Sequence, residues 1–253
     1  MNWEEAKKSE VFSVLTGSRL YGTDRPDSDY DIRSVFIGSP LYTGPTTIRN
    51  PDGSDESTVE IREFVRLLTQ GDNQKIEMLF APSSYIYMLD QKHFQPILDI
   101  RKTFLSKAWG VKFLGFARKV IYIMQEQGGT CYTDLAHIWR VLACAFCTPY
   151  SPVVVDDFSI NRSLLRQLKS GGLDASDMRL ILKNYIIPLA NSLTTTTFPE
   201  VDMKLVQTAL GLVLTRFWGQ NESEPSSTVG KPARKESGEG QGTNDLARGY
   251  DPE

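Results

Sequence analysis

The sequence predicts an α/β (α+β) module with a small mixed sheet, followed by an α-helical bundle and a disordered C-terminal tail. Runs of β-branched and aromatic residues between turn residues indicate strands near the N-terminus. After Gln91, apolar residues recur at three- and four-residue steps, which is typical of helices. The final segment is rich in Gly, Ser, Glu, Pro and Lys, so it cannot bury enough apolar surface to fold. The predicted divisions are residues 1–90, 91–218 and 219–253.

Residues 11–37 contain two predicted strands around a polar, glycine-containing connection. The first strand ends at a Gly17-Ser18 turn, whose backbone N–H groups can approach a phosphate. The second begins at Asp29 and Asp31, which are expected on the same face because strand side chains alternate. Two adjacent carboxylates repel each other, and a hard divalent cation such as Mg²⁺ relieves that repulsion. The segment therefore predicts a metal-triphosphate site.

The remaining elements follow from the same periodicities and from turn residues. Residues 1–10 favour a helix, 39–54 form a predicted loop, and 57–61 form a short predicted strand. Further helices are predicted over 62–70, 74–80, 104–127, 133–147, 160–169, 176–193 with a kink at Pro188, and 200–218.

The net charge of the chain lies in its last part. The 253 residues carry a net charge of −3, and residues 219–253 contain seven acidic and four basic side chains, which account for all of it. The preceding residues are near neutral, so they lack the broad basic surface of a general nucleic-acid binder, although a local basic groove is compatible with them. With 40% hydrophobic residues, the chain is long enough to bury a core.

The three cysteines favour a reducing compartment. Cys144 and Cys147 lie in the apolar stretch LACAFC without a second Cys/His pair, which indicates buried thiols rather than a zinc site. Together with Cys131 they make an odd count, and with no secretory leader this predicts a cytoplasmic location. No apolar run approaches transmembrane length, so no membrane association is expected.

Residues 17–33, GSRLYGTDRPDSDYDIR, resemble the signature of the polymerase-β-type nucleotidyltransferase superfamily. In that signature an apolar-Gly-Ser turn is followed, after ten residues, by Asp-x-Asp-apolar. The segment looks like the predicted nucleotidyltransferases found beside RNA ligases, in bacteria and in phages. Residues 61–82, IREFVRLLTQGDNQKIEMLFAP, are similar to the Arg-x-Phe helix and Glu-x-Leu-Phe segment of the same family. Without the resemblance, the acidic residues would also fit a solvated turn or a structural cation loop.

The resemblance implies metal-dependent transfer of a nucleoside monophosphate from an NTP to a hydroxyl acceptor, with Mg²⁺ (or Mn²⁺) as cofactor. The acceptor could be an RNA end, a protein or a small molecule, and no other protein partner is predicted. Asp29 and Asp31 would then be catalytic metal ligands. The family's third carboxylate precedes the Arg-x-Phe helix, which corresponds to Asp55 here, with Glu60 and Glu56 as alternatives.

Two other functions are compatible with the sequence. Loss of a usable third carboxylate would favour a non-catalytic relative that binds a nucleotide or a protein through the same cleft. A chain that acts mainly through its acidic tail, with the folded part as a scaffold, is the other alternative.

The resemblance also suggests residues that bind the nucleotide or its phosphates. Gly17 and Ser18 form the expected phosphate turn, although Ser18 could be an ordinary turn serine or a helix N-cap. Arg19 and Arg33 flank the acidic pair, and each could bind a triphosphate or pair with a carboxylate.

In the sequence HIWR, His137 and Arg140 lie on one face of a predicted helix. The family carries a similar His-x-x-Arg, often after a lysine that is replaced here by Thr133. We expect Arg140 to line a cleft between the α/β module and the helices, where it would contact the NTP. Packing is the alternative role of both residues.

Overall fold

One small mixed sheet forms the centre of the first part of the chain. The computed structural model describes residues 1–126, 136, 138–140, 162–195 and 197–221. Within these residues the strands are β1 (Glu10–Leu15), β2 (Ile32–Phe36), β3 (Thr47–Arg49), β4 (Glu56–Glu60) and β5 (Ile86–Leu89). Their order is β3-β4-β2-β1-β5, in which β2 and β4 are parallel and the other neighbours are antiparallel.

Four helices around the sheet, which begin at Trp3, Ile61, Asn73 and Gln91, have a side chain that caps their free N–H groups. Glu60 accepts from the N–H of Arg62 at 2.7 Å, and Asp72 accepts from the N–H of Lys75 at 3.1 Å. The helices up to residue 126 are α1 (Trp3–Lys8), α2 (Gly17–Leu20), α3 (Ile61–Thr69), α4 (Asn73–Leu79), α5 (Gln91–Asp99) and α6 (Lys107–Glu126).

The later described residues are helical as well. A π-helical turn, Leu182–Ile186, separates two helices just before Pro188. Proline has no N–H to donate to the preceding turn, so the irregular segment lies where the sequence predicts a kink. The later helices are α7 (Arg162–Lys169), α8 (Ala175–Ile181), α9 (Ile187–Thr195) and α10 (Met203–Asn221).

The hydrophobic core runs from the sheet into the helices without a break. Phe94 of α5 stacks on Phe12 of β1, with 4.6 Å between the ring centroids. Helix α10 packs on α5, and the indole N–H of Trp218 donates to the carbonyl oxygen of Gly38 at 3.1 Å. Helix α5 packs directly on the sheet, so the core continues across residue 90. The predicted division of the chain at this residue stays a prediction.

The structure confirms the predicted fold class, with three corrections to its elements. Asp29 and Asp31 precede β2 instead of lying in it, because the strand pairing begins at Ile32. The predicted loop 39–54 contains β3, which is held by pairing with β4. Strand β5 is an edge strand that no periodicity indicates, and it is held by pairing with β1.

Several predictions fall on residues that the structure does not describe. These are the predicted helix 133–147 apart from residues 136 and 138–140, the three cysteines, His137, and the tail beyond Asn221. Helix α10 itself extends to Asn221, past the predicted boundary at 218. In the described part of the chain, every helix is too short or too polar to cross a membrane.

Candidate active site

Gly17 places the turn after β1 directly against Asp31. Its φ of +68° favours glycine, and a Cβ atom at this position would lie 2.0 Å from Oδ2 of Asp31. The N–H and hydroxyl of Thr16 both donate to the carbonyl oxygen of Asp31, at 2.7 and 3.0 Å. The turn and Asp31 therefore form one unit, although they are distant in sequence.

Parallel pairing of β2 and β4 brings Asp55 beside Asp31. The N–H of Ile32 donates to the carbonyl oxygen of Asp55 at 3.2 Å, and the two carboxyl groups share a hydrogen bond. Burial, this hydrogen bond and the Asp55 charge raise the pKa of Asp31 to about 6. The same hydrogen bond and the nearby Arg33 lower the pKa of Asp55. Without a bound cation, the pair holds a proton below about pH 6.

The guanidinium of Arg33 bridges the two carboxylates. Its Nη2 lies 3.3 Å from Oδ1 of Asp31 and 3.0 Å from Oδ1 of Asp55. Its Nη1 donates to the carbonyl oxygens of Ile32 and Asp55, at 3.2 and 2.6 Å. Of the two roles that the sequence allows for Arg33, the structure shows the pairing with carboxylates.

Asp29 lies at the exposed edge of this carboxylate pair. Its charge also raises the pKa of Asp31, but it has the smallest effect of the causes that act there. Because β2 starts at Ile32, the orientation of Asp29 follows from the preceding loop and not from strand alternation. The structure thus brings Asp31 and Asp55 together and leaves Asp29 beside them.

Arg19 anchors the loop that carries Asp29. Its Nη2 donates to the carbonyl oxygen of Ser28 at 2.5 Å, and its Nε donates to that of Asp29 at 3.1 Å. The guanidinium also lies over the ring of Tyr30, 3.9 Å from the ring centroid. These contacts fix the loop, and a contact of Arg19 with phosphate stays a prediction.

The alternatives for the third carboxylate occupy other positions. Glu60 is buried at the far end of β4, where it caps α3 and accepts from Nε of Arg62 at 2.9 Å. Glu56 is the first residue of β4 and lies in register with Ile32, whereas Asp55 precedes the strand and shares its Arg33 contact with Asp31. The geometry therefore favours Asp55 as the partner of Asp31.

A cleft of about 500 Å³ opens beside the turn and the carboxylates. It lies between the sheet module and α6, which is the junction where the sequence predicts it. One side is polar and includes the acidic pair's Asp31, and the other side is partly aromatic. The residues that line it include Gly17, Tyr21, Asp31, Arg33, Asn73, Gln74, Glu77, Lys112, Phe113 and Phe116.

Arg140 is not among the residues that line this cleft, contrary to expectation, and its contact with the NTP stays a prediction. Arg140 is only 2% exposed, and its Nη2 donates to Oε1 of the equally buried Glu77 at 2.6 Å. Its guanidinium also lies 3.6 Å from the ring centroid of Tyr21, whose hydroxyl donates to the same carboxylate. Asn73 donates to Oε1 of Glu77 at 2.7 Å. Arg140 therefore supports the floor of the cleft, where a buried carboxylate needs a paired cation.

Comparison with known protein families identifies the chain. Residues 3–148, more than half of the sequence, match the family described as RlaP, the RNA repair pathway DNA polymerase beta family. The chain belongs to this RlaP family. It is thus a polymerase-β-type nucleotidyltransferase related to RNA repair proteins, as the resemblance of residues 17–33 predicts. No curated protein and no solved structure matches the chain.

A basic helix beyond the RlaP match also reaches the site. Arg166 of α7 lies 4.0 Å from the carboxylate of Asp24. Burial lowers the pKa of Lys169 on the same helix, and the charges of Arg25, Asp31 and Asp24 also act on it. Neither cation belongs to a motif that the sequence reveals. Their three-residue spacing on one predicted helix is the signal that could have found them.

The carboxylates of Asp31 and Asp55 are suitable ligands for a divalent cation. Polymerase-β-type nucleotidyltransferases generally use divalent metal ions, and carboxylate oxygens are the ligands that Mg²⁺ prefers. Because Gly17 has no side chain, the space next to Oδ2 of Asp31 is open; a Cβ atom at this position would fill it. Among the described residues, no three His, Cys, Asp or Glu side chains are already gathered as a metal site.

Proposed function

We propose that this protein transfers a nucleoside monophosphate from an NTP to a hydroxyl group of an acceptor, with Mg²⁺ or Mn²⁺ as cofactor. The observation that carries the proposal is that one nitrogen of Arg33 contacts both Asp31 and Asp55, with Gly17 directly against Asp31 at the edge of the cleft. Metal-dependent phosphoryl chemistry needs this combination of clustered carboxylates and a phosphate-binding turn.

The three carboxylates have distinct positions in this proposal. Asp31 and Asp55 would hold the cation between them, and Asp29 would complete the ligand set from the exposed side. When bound, the cation neutralises charge on the triphosphate and promotes attack by the acceptor hydroxyl. The acceptor oxygen bonds to the α-phosphorus, pyrophosphate leaves, and the hydroxyl proton passes to solvent.

The phosphates would be held by the residues that surround the carboxylates. Gly17 lies directly against Asp31, Arg33 lines the same cleft, and the phosphate contact of Ser18 stays a prediction. A guanidinium binds phosphate oxygens through two parallel hydrogen bonds. His137, which lies outside the described residues, stays a prediction as a nucleotide contact.

An RNA end is the acceptor that the family description favours. Arg166 and Lys169 place positive charge beside the acidic loop, on the side where an anionic strand could approach. A body that is near neutral overall needs such a local patch in order to bind RNA.

A non-catalytic nucleotide-binding relative is the second candidate. It is favoured by the bridging position of Arg33, which already compensates both carboxylates, and by the lack of a gathered three-ligand group among the described residues. In this case the cleft would bind an NTP without turnover.

The test is incubation of the purified protein with each α-labelled NTP, Mg²⁺ or Mn²⁺, and RNA with a free 3′-hydroxyl, beside a crude RNA and protein extract. Label is expected in a macromolecule or a small acceptor, and it should be absent with Asp31→Asn. A thermal shift with Mg²⁺ and NTP but no transfer to any acceptor would favour the non-catalytic relative.

A further inference from the structure

The guanidinium of Arg33 lies between the two negatively charged carboxylates of Asp31 and Asp55. Its Nη2 lies within 3.3 Å of Asp31 and 3.0 Å of Asp55, so one nitrogen serves both carboxylates. The side chain of Arg33 is 23% exposed and lines the cleft, so it can move without unpacking the core. The guanidinium of Arg33 therefore neutralises the two carboxylates at the edge of an open cleft.

A guanidinium and a divalent cation are alternative partners of the same oxygens. The guanidinium carries one charge and binds carboxylates by a planar fork, while a metal ion carries two charges in a smaller volume. Nη2 contacts Oδ1 of both Asp31 and Asp55, so a metal ion that binds these same two oxygen atoms must displace it.

We infer that Arg33 is an exchangeable counter-ion, which holds Asp31 and Asp55 together in the metal-free protein and would turn its Nη2 into the cleft when the pair binds a divalent cation. This inference rests on the proposed metal-dependent function. The contacts of Nη1 with the carbonyl oxygens of Ile32 and Asp55 keep the displaced side chain near the mouth of the cleft. There its guanidinium binds the triphosphate of the NTP.

The exchange couples metal binding to nucleotide binding. Metal binding frees a cation for the triphosphate, so each ligand should strengthen the binding of the other by the same factor. Arg33 should also weaken the binding of metal alone, because the metal must first break two ion pairs. Arg33 should thus lower the affinity for metal alone and raise the affinity for the nucleotide. A purely structural residue would not change the two affinities in opposite directions.

The experiment measures the affinity for Mn²⁺ alone, by electron paramagnetic resonance, in wild type and Arg33→Met. The variant should bind Mn²⁺ more tightly, by about three- to tenfold, the effect of one or two partly exposed ion pairs. An ATP analogue with a methylene group between the α- and β-phosphates should bind the variant more weakly by roughly tenfold. Its affinity should also depend less on Mn²⁺ than in wild type.

Two further variants act as controls. Arg66→Met removes an arginine that pairs with Glu63 on the exposed face of α3, at 2.6 Å, and should leave both affinities unchanged. Arg33→Lys keeps the charge without the fork, so its Mn²⁺ affinity should lie between those of wild type and Arg33→Met. Circular dichroism checks that each variant is folded.

Unchanged or weaker Mn²⁺ binding by folded Arg33→Met, with Arg33→Lys the same as wild type, overturns the inference. If wild type transfers nucleotides while this result holds, the exchange alone is wrong and the proposed function stands. If wild type neither binds Mn²⁺ nor transfers nucleotides, the proposed function fails and the inference fails with it.

Discussion

At the scale of single residues, Asp31 carries the strongest prediction. Asp31→Asn should lower turnover at least about 100-fold, because it removes a carboxylate ligand from the site that neutralises the phosphates. The metal-free variant should be as stable as wild type or more so, because one of two clustered charges is gone. Steady-state transfer assays and urea unfolding in the presence of a chelator measure the two effects. Wild-type transfer by this variant would rule out the carboxylate pair as a metal site.

The raised pKa of Asp31 gives a pH dependence with a defined sign. A carboxyl whose pKa rises on folding stabilises the protein below its unfolded pKa of about 3.9, and this contribution disappears as the pH passes its folded pKa. Relative to Asp31→Asn, metal-free wild type should therefore lose unfolding free energy as the pH rises from about 4 to about 6. The lowered pKa of Asp55 acts below this window. Urea titrations of both proteins at several pH values measure this effect. A difference in unfolding free energy between the two proteins that stays constant with pH would contradict the prediction.

Gly17 offers a test of geometry with a matched control. Gly17→Ala places a Cβ atom 2.0 Å from Oδ2 of Asp31, so the carboxylate must move and transfer should be lost. Gly53 also has a positive φ, +85°, but no atom lies within 4 Å of the position that a Cβ would take there. Gly53→Ala should therefore cost only about 1–2 kcal/mol of backbone strain and keep its activity. Equal activities of the two variants would show that the contact between Gly17 and Asp31 does not matter.

At the scale of elements, the pair of Arg140 and Glu77 joins α4 to the helical part of the chain. Arg140→Met should lower the free energy of unfolding by about 3–5 kcal/mol, because it leaves a buried carboxylate without its cation. Adding Glu77→Gln removes that buried charge and should restore part of the loss. Denaturant unfolding of both single variants and the double variant measures this coupling. A stable Arg140→Met with a raised KM for NTP would instead return Arg140 to the phosphate site.

The sequence predicts local features of this fold better than contacts between distant elements. The motif of residues 17–33 and the Arg-x-Phe helix identify Asp29, Asp31 and Asp55 as candidates, but the contact of Asp55 with Asp31 depends on parallel pairing of β2 and β4. The burial of Arg140 depends on Glu77, 63 residues earlier. Neither contact has a periodic signal in the sequence, so HIWR alone does not distinguish a residue that lines a cleft from one that packs beneath it.

At the scale of the whole molecule, removal of the acidic tail distinguishes between an enzyme and a chain that acts mainly as an interaction module. A chain that ends at Asn221, the last residue of α10, should keep full transfer activity and the thermal shift with Mg²⁺ and NTP, because the tail contributes no candidate site residue. Activity with a saturating RNA acceptor, compared between the full chain and the truncated chain, tests this. Loss of turnover in a truncated chain with unchanged unfolding would assign the tail a part in the function.

The packing of α10 on α5 has a consequence for the order of synthesis. Asp99 ends α5, and the ribosome adds about 100 further residues before Met203 begins the helix that covers it. At about 5–20 residues per second, this leaves the apolar face of α5 without its partner for roughly 5 to 20 seconds. Trp218, which binds Gly38 just after β2, emerges later still. The nascent chain therefore carries residues 17–33 early but can complete the packing behind them only after Met203–Asn221 has been made.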